Sequence, residues 1–347
     1  MKVLALALAL SLLAGCSGLP DPREMGDMAL IRTLGADAGE DGVSLTAATG
    51  PRPKGLQGEG QAALVAAGAG DTPGEAAMAL RAGGEDSIFL GYADQLLVGA
   101  GALAGGLLPG LLDWFARDSE LGLGARLWVV RGDARAAVES GGDRGLEGRL
   151  TTLITDSRLG TAPLTQTAGE VYAHLLDRAA AWAPVLRAGE GGVTPDGYAV
   201  LLKEGAVAGY LTGGDARGLE LLAGQPRAHL LGAMGMTARV YRSTTLCRFD
   251  GEGTLHITCR VWARLAEYAA PPDKEALEAM KEGLRRQEEA CVRTALARLR
   301  EWGTDCLGLG AKAGLTAPAL WQELAEDWSG EFARREPELT VKLELVR

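Results

Sequence analysis

The sequence is poor in the side chains that most often carry catalysis. It contains only three histidines in 347 residues, His174, His229 and His256, and none has further ligands at a spacing that builds a metal site. It also lacks the HExxH zinc motif, the Walker phosphate loop, the nucleophile elbow and the CxxC pair. The neighbouring carboxylates Glu288 and Glu289 fall on an amphipathic helix, where charged residues usually form the solvated face. We therefore predict a protein that is not an enzyme, with no catalytic residues, no metal site and no bound cofactor.

Basic residues are in the minority. The chain has 35 Lys and Arg against 45 Asp and Glu, a formal net charge of −10. Nucleic-acid phosphates are bound by clustered basic side chains, so this balance predicts no nucleic-acid partner. An acidic chain is also repelled by anionic headgroups, and any membrane attachment is then expected to depend on a lipid.

The apolar run near the N-terminus, from Val3 to Leu13, is too short to span a bilayer, which takes about 20 apolar residues. It ends at Leu13-Ala14-Gly15-Cys16, the pattern of a signal peptide with a lipobox. We predict a signal peptide over 1–15 and, after export and cleavage, lipidation of the Cys16 thiol. Two or three acyl chains would hold the protein durably, because each buried CH₂ group contributes ~0.8 kcal/mol. The alternative is an ordinary cleaved signal that happens to be followed by a cysteine.

The remaining chain divides into three parts, and the predicted fold class is α+β with several domains. Residues 16–140 alternate strands and helices and predict an N-terminal mixed α/β domain. Residues 141–195 predict an intermediate helical and loop region, with an amphipathic helix over 168–186. Residues 196–347 predict a C-terminal antiparallel sheet covered by long helices.

Local signals predict individual elements. A capping box, Thr72 to Glu75, starts a helix that runs to about Ala82, and Asp273 caps a long helix that ends at Gly303. In the first part the pattern predicts strands over 28–34 and 43–48 around a turn at 37–42, a strand over 87–98, a helix over 102–116, a strand over 126–130 and a helical turn over 134–139. In the last part it predicts strands over 198–202 and 206–210, a hairpin of 237–249 with 254–268, a helix from Pro318 and a strand over 341–345.

Four further cysteines follow Cys16, and an exported protein can form disulfides. Cys247 and Cys259 flank the turn of the predicted hairpin. A two-residue loop puts their thiols on opposite faces, and a three-residue loop puts them on one face but displaced by about 7 Å along the strand, too far for a bond. A five-residue loop would set them directly opposite each other. The pattern decides neither this pair nor Cys291 with Cys306, and we favour buried free thiols.

Two patterns imitate functional motifs. Gly99 to Gly105 follows a strand and opens a helix, as a dinucleotide-binding turn does. An exported chain is not expected to meet nicotinamide cofactors, and a sequence with 50 glycines matches such a template readily, so we predict no cofactor there. Trp321 and Trp328, seven residues apart on one helix face, are predicted to be core residues rather than a sugar platform.

Several blocks, taken in order along the chain, resemble the Ger(x)C spore-germination lipoproteins, the C subunits of germinant receptors. The strongest is Gly-Tyr-Leu-Thr-Gly-Gly-Asp-Ala-Arg-Gly over 209–218, which is similar to the family's Gly-Trp-Leu-Thr-Gly-x-Glu-Ala-Arg-Gly. The chain departs from the family at Tyr92, where histidine is usual, at Tyr210, where tryptophan is usual, and in the segment before Gly99. The other blocks are Arg23-Glu24-Met25 leading to Leu34-Gly35-Ala36-Asp37, the helix start at 72–80, Gly91-Tyr92, residues 108–120, Arg131-Gly132-Asp133-Ala134, and Asp305 to Gly310 with Trp321, Trp328 and Phe332.

The resemblance implies a non-enzymatic subunit held by lipid on the outer face of the inner spore membrane. It also implies two integral-membrane partners, an A-type subunit with a soluble domain and a B-type, permease-like subunit that binds the nutrient. The implied role is to assemble or couple that receptor, so that nutrient binding leads to germination. Within the strongest block Asp215 and Arg217 are candidates for a partner contact, and we favour instead a structural turn in which Arg217 bonds Asp215 or the backbone.

Two other classes of protein share part of this pattern. A solute-binding lipoprotein of an importer would have the same anchor, and it predicts two similar α/β lobes around a cleft. A structural coat or cortex protein would also have the anchor, and its partners would distinguish it.

Overall fold

The structure, a computed structural model, describes residues 28–40, 42–52, 61–83, 87–155, 163–189, 192–225, 229–268 and 271–346. Cys16, the predicted signal peptide and the block at 23–25 lie outside these ranges. The first elements are β1 (Met28–Gly39), β2 (Gly42–Thr49), β3 (Val65–Gly70), α1 (Pro73–Ala82), β4 (Ser87–Phe89), β5 (Gln95–Gly99), α2 (Ala100–Ala104), α3 (Leu108–Arg117), β6 (Arg126–Val130), α4 (Ala134–Glu139), α5 (Glu147–Thr155), β7 (Gln166–Thr167) and α6 (Ala168–Arg178). They are followed by β8 (Ala180–Gly189), β9 (Gly192–Leu202), β10 (Val207–Leu211), α7 (Gly213–Ala223), β11 (His229–Ala233), β12 (Met236–Phe249), β13 (Leu255–Glu267), α8 (Lys274–Glu301), α9 (Leu309–Gly314), α10 (Pro318–Ala325), α11 (Trp328–Arg334) and β14 (Glu338–Val346).

A mixed sheet organises the chain from β1 to β10. Its strand order is β10-β9-β8-β6-β5-β1-β2-β3, with β4 beside β1 and β7 beside β6 off this path. The central strands β1, β5, β6 and β8 are parallel, and antiparallel neighbours extend the sheet on both sides. Because parallel strands need crossover connections, helices cover both faces: α1, α2, α3 and α6 lie on one face, and α4 and α5 on the other.

A smaller sheet follows, with the order β11-β12-β13-β14. Its first three strands are antiparallel, as predicted, and the helices α8 to α11 return the chain so that β14 lies parallel to β13. Inward side chains alternate with exposed ones along β12 and β13. The inward set packs against residues of α7, α8 and α9, which is the helical cover expected from the sequence. The α+β class is thus observed in both halves.

One of the apolar cores is shared between the two sheets. Ala181 and Ala199 point from β8 and β9 into the core of the larger sheet, under α3 and α6. Trp182 and Tyr198, their neighbours in sequence, point to the opposite face, where they join the core of α7, α8 and the smaller sheet. Two strands buried on both faces therefore join the two halves of the molecule.

The prediction of a helix over 168–186 is wrong for its second half. The helix α6 ends at Arg178, because Ala179 takes a left-handed conformation (φ 57°) as its C-cap. Residues 180–186 then form a strand that is buried on both faces. Such a strand presents a continuous apolar run, which periodicity cannot distinguish from a buried helix. The region 141–195 therefore contributes β8 and the start of β9 to the larger sheet, and the division at 140 and 195 stays a prediction.

Other predicted elements are broken or extended. The predicted turn at 37–42 is largely strand, because β1 continues to Gly39 and pairs with β2 in a tight hairpin. The predicted strand over 87–98 is two strands, β4 and β5, separated by a turn. The predicted helix over 102–116 is two helices, and Pro109 lies in the first turn of the second, where a missing amide hydrogen is tolerated. The helix expected from Pro318 is likewise divided into α10 and α11.

The β12–β13 hairpin has the register of the three-residue loop. Cys247 lies opposite Ile257, and Cys259 lies opposite Thr245, so the two thiols share a face without being paired. Cys247, Cys259, Cys291 and Cys306 are all free in the structure. Among the described residues no helix is long and apolar enough to cross a membrane.

Candidate functional site: the junction between the two sheets

The strongest sequence block, 209–218, forms the end of β10 and the start of α7, where the two halves meet. Its glycines allow two elements to approach closely. A Cβ atom at Gly209 would lie 2.1 Å from the ring of Trp302, and one at Gly218 would lie 2.1 Å from the backbone oxygen of Cys291 in α8. Real Cβ atoms do not approach other heavy atoms so closely, so a larger side chain at either position would push α7 and β10 away from α8.

Arg217 lies within this contact and forms a buried ion pair. Its Nη2 and Nε donate to the two carboxylate oxygens of Glu288 in α8, at 3.1 and 3.3 Å. The Glu288 side chain is 0% exposed and that of Arg217 is 11% exposed. This is the bidentate geometry that a planar guanidinium favours with a carboxylate. The expectation that Arg217 bonds Asp215 or the backbone is wrong, because the guanidinium reaches a helix 71 residues further along the chain.

The ion pair continues toward the larger sheet. Nη1 of Arg217 donates to Glu220 Oε2 at 3.1 Å, and the other oxygen of Glu220 accepts from the hydroxyl of Tyr198 at 2.8 Å. That hydroxyl accepts in turn from the backbone N–H of Leu164 at 2.8 Å. A continuous chain of hydrogen bonds thus runs from α8 through α7 to β9. We call Tyr198, Arg217, Glu220, His229 and Glu288 the junction network.

His229 approaches Glu288 from the smaller sheet. Its Nε2 lies 3.1 Å from Glu288 Oε1, and an ionised carboxylate can only accept in that contact. Burial alone would raise the pKa of the Glu288 carboxyl, but the hydrogen bond from His229 and the charge of Arg217 outweigh burial, and the pKa lies below its usual range. Glu288 is therefore held as a carboxylate inside the protein.

Asp215 has a different position from Arg217. It lies in the first turn of α7 and is half-exposed, and its backbone N–H donates to the oxygen of Thr212. An acidic residue in the first turn of a helix interacts favourably with the helix dipole. Of the two predicted contact residues, Arg217 is bonded inside the protein, and Asp215 is the more accessible to a partner. The contact of Asp215 with a partner stays a prediction.

A second pair of blocks meets beside the central strand β1 of the larger sheet. Asp37 in β1 accepts from the backbone N–H groups of Ala134 and Arg135 at 2.7 and 2.8 Å, at the start of α4. Burial raises the pKa of Asp37, and these two hydrogen bonds act against the rise. Gly99 lies beside them, and a Cβ atom there would lie 1.9 Å from the Asp37 carboxylate. The glycine that imitates a dinucleotide-binding turn therefore makes room for a carboxylate of the protein itself.

The tryptophans near the C-terminus pack with the core, as predicted. Trp321 and Trp328 meet edge to face with centroids 5.2 Å apart, and both contact Phe249. Trp328 Nε1 donates to Asp305 at 2.9 Å, and Asp305 also accepts from backbone N–H groups at the start of α9. In the described ranges no three His, Cys, Asp or Glu side chains come together in a way that could hold a metal ion.

Most residues of the junction network were not predicted from the sequence. Glu288 was assigned to the solvated face with Glu289, which is correct only for Glu289, the partner of Arg285 and Arg293. The signal was present: Glu288 follows Leu284 by four residues and precedes Val292 by four, so it falls on the buried stripe of α8. A charged residue on an apolar stripe predicts a buried partner.

Comparisons with known proteins identify the family to which these blocks belong. A family model described as "Spore germination protein N-terminal domain" matches residues 21–188, and one described as "Spore germination B3/ GerAC like, C-terminal" matches residues 196–347. The chain belongs to the Ger(x)C family of spore germination proteins. Together the two matches span both sheets and the junction between them.

A solved structure has the same fold as this Ger(x)C chain. The structure titled "Crystal Structure of the GerBC protein" superimposes with a TM-score of 0.62, at 16% sequence identity, over 91% of this chain and 97% of that chain. At this identity the likeness concerns the fold. The comparison with curated proteins gave no match.

Proposed function

We propose that this chain is the lipoprotein C subunit of a nutrient germinant receptor, held on the outer face of the inner spore membrane by lipid on Cys16. Its role is non-catalytic: it assembles the receptor or couples nutrient binding to germination. The observation that carries this proposal is the pair of adjacent family matches over 21–188 and 196–347. The proposed partners are the integral-membrane A-type subunit and the permease-like B-type subunit.

The junction supports a coupling role. A subunit that transmits a change between partners must keep its two halves in a fixed relation, since a loose hinge would absorb the change. Here the halves share a core, and the junction network ties α8 to β9 through buried charges. Separating them would break this ion pair and expose the apolar side chains of the shared core to water, which is strongly unfavourable.

The alternative, a solute-binding lipoprotein of an importer, predicts two similar α/β lobes. The two sheets differ in size, in strand order and in the placement of helices: the larger is covered on both faces and has a parallel centre, and the smaller is mainly antiparallel. This difference favours the receptor subunit over the importer component.

The proposal is tested by a crosslinked pull-down from detergent-solubilised spore membranes. The tagged chain should recover an A-type and a B-type subunit, and Cys16→Ala should lose both the recovery and nutrient-triggered germination. Ser17→Ala is the matched control, because it changes the neighbouring residue and keeps the thiol. Recovery of importer components, or normal nutrient germination in a strain lacking every copy of the protein, would overturn the proposal.

A further inference from the structure

The smaller sheet has one covered face and one open face. Along β12 the inward residues Ala238, Val240, Ser243 and Cys247 are buried, and most of the residues between them are exposed. The same alternation holds in β13 and β14. We call the outward side chains of β11 to β14 the open face.

The open face is basic, although the chain is acidic. Six basic side chains stand against three acidic ones, whereas the whole chain has 35 against 45. The excess of acidic residues therefore lies on the rest of the molecule. The basic residues are Arg239, Arg242, Arg248, Arg260, Arg264 and Lys342, and the acidic ones are Glu267, Glu338 and Glu344.

These basic side chains do not pair with the acids beside them. Glu338 contacts His256 at 3.2 Å, and Glu344 accepts from the indole N–H of Trp262 at 2.8 Å. Across the described part of the chain, no salt bridge involves any of the six basic residues of the open face. Arginines of the helix α8, in contrast, are mostly paired; Arg286 and Arg293 bond Glu282 and Glu289.

The strand register brings like charges together. Arg239 lies directly opposite Arg264, and Arg260 lies directly opposite Lys342. Side chains opposite each other across two strands are about 5 Å apart, and like charges in such pairs are destabilising in a free protein. Such an arrangement is relieved when an anion lies between the charges, and a guanidinium binds phosphate oxygens two at a time.

Apolar side chains accompany the charges. Leu230 lies opposite Arg239 and is 61% exposed, and Leu246 on β12 is 62% exposed. Tyr241, at a bulge beside Arg242, and Met234, in the turn between β11 and β12, are exposed as well. Basic groups for phosphates, together with aromatic and aliphatic side chains, match the headgroup region of an anionic bilayer.

We propose that the open face binds the anionic phospholipid surface of the membrane to which the chain is anchored. This inference rests on the proposed function through the lipid on Cys16. Eleven residues separate Cys16 from the start of β1, and at about 3.5 Å per residue they reach at most ~40 Å. The anchor therefore keeps the sheet near the bilayer at a high effective concentration, so that a weak surface suffices.

The net charge of the chain predicts repulsion from such a bilayer, and the distribution of charge reverses that expectation locally. Charges farther from the membrane than about 10 Å are largely screened at physiological salt. The acidic residues on other surfaces then act weakly, and the arginines of the open face, whose charges no salt bridge neutralises in the described residues, dominate the attraction.

The test measures binding of the chain from Ser17 to Arg347, which carries no lipid and keeps every described residue. Binding to sedimenting vesicles of phosphatidylcholine is compared with binding to vesicles that also contain phosphatidylglycerol. The parent should bind only the anionic vesicles, and added salt should weaken the binding. Since each basic residue near an anionic surface contributes about fivefold, the triple variant Arg239→Gln, Arg260→Gln, Arg264→Gln should bind on the order of 100-fold more weakly.

The matched control is the triple variant Arg286→Gln, Arg293→Gln, Arg298→Gln on α8, which removes the same charge from another surface. It should bind as the parent does, within about twofold, because its charges lie away from the lipid. Both variants should keep the circular dichroism spectrum and cooperative unfolding of the parent, since all six side chains are exposed. Equal loss of binding in the two variants, or no binding of the parent to anionic vesicles, would overturn the proposal.

Two further outcomes distinguish this inference from others. If the parent does not bind anionic vesicles but binds a polyglutamate peptide through the same three arginines, the open face is a docking surface for an acidic protein, and the membrane proposal fails. If vesicle binding is absent but the pull-down still recovers the receptor subunits through Cys16, only the open face is refuted and the proposed function stands.

Discussion

Replacing Arg217 with methionine is expected to destabilise the protein by about 3–5 kcal/mol, because the change leaves the carboxylate of Glu288 buried beside a single histidine. Methionine keeps much of the volume of the arginine stem, so the expected loss comes mainly from the missing charge. At an effective dielectric constant of about 20, two charges about 3 Å apart attract by roughly 5 kcal/mol, which the desolvation of both groups offsets in the intact pair. Removing one partner keeps the desolvation cost and loses the attraction.

The measurement is urea unfolding followed by tryptophan fluorescence, since the chain has 7 tryptophans. The double variant Arg217→Met, Glu288→Met should be more stable than Arg217→Met alone, because it removes the unpaired charge as well. Arg286→Met is the matched control on the exposed side of α8, where solvent screens the ion pair with Glu282 and the loss of stability should be small. A loss below about 0.5 kcal/mol in Arg217→Met, or additive effects in the double variant, would refute the assigned role of the pair.

The same pair has an expected pH dependence. The pKa of Glu288 is lower in the folded protein than in the unfolded chain, so the folded state binds fewer protons there. Its contribution to stability is complete above the unfolded pKa and is lost as the pH falls through the folded pKa. The difference in stability between the parent and Arg217→Met should therefore be full near neutral pH and narrow as the solution becomes acid; a constant difference across that range would contradict the assignment.

Three other expectations follow from single contacts. Gly218→Ala should lower the free energy of unfolding in urea by roughly 1–3 kcal/mol, because its methyl group would lie 2.1 Å from the backbone oxygen of Cys291. The control Gly110→Ala, whose methyl group would have nothing within 4 Å, should be neutral or slightly stabilising. Equal effects of the two substitutions would contradict the close helix contact. Asp37→Ala should cost about 1–2 kcal/mol, because the start of α4 loses the carboxylate that accepts two of its backbone N–H groups, and unchanged unfolding would contradict that role. In the native chain from residue 17 onward, a thiol reagent should modify the half-buried Cys291 first. Burial raises the pKa of Cys247 to about 12 and shields the other thiols from the reagent. Reaction of several thiols before unfolding would refute the buried positions.

Elements defined by neighbouring residues were predictable. The capping box is formed as expected, with Thr72 accepting from the Glu75 N–H and the Glu75 carboxylate accepting from the Thr72 N–H. Asp273 caps α8 through the N–H of Ala276, and the β12–β13 hairpin lies within a residue or two of its predicted bounds. These features need only groups a few residues apart, so their energy is encoded locally.

Elements whose state depends on burial were harder to predict. β8 is apolar on both faces because α6 packs on one face and α7 with the smaller sheet on the other, and periodicity alone does not distinguish such an apolar run from a buried helix. The division of the strand predicted over 87–98 likewise depends on the pairing of β4 with β1. The periodicity of apolar residues indicates how many faces of a segment are buried, and it does not indicate which neighbouring elements cover those faces.

The sequence alone determined the family, the alternation of the strands and the small residues of the 209–218 block, because these are properties of order and spacing along the chain. It also contained the anomaly at Glu288, a charge on an apolar stripe, without identifying its partner. Only the tertiary structure decided that Arg217 meets Glu288 across 71 residues, that Asp37 meets the start of α4 across 97, and that the arginines of β12 and β13 lie on one face without a salt bridge to any described residue. The physical reason is that charges act over distances in space, and the separation of two groups in space is set by packing rather than by their separation in sequence.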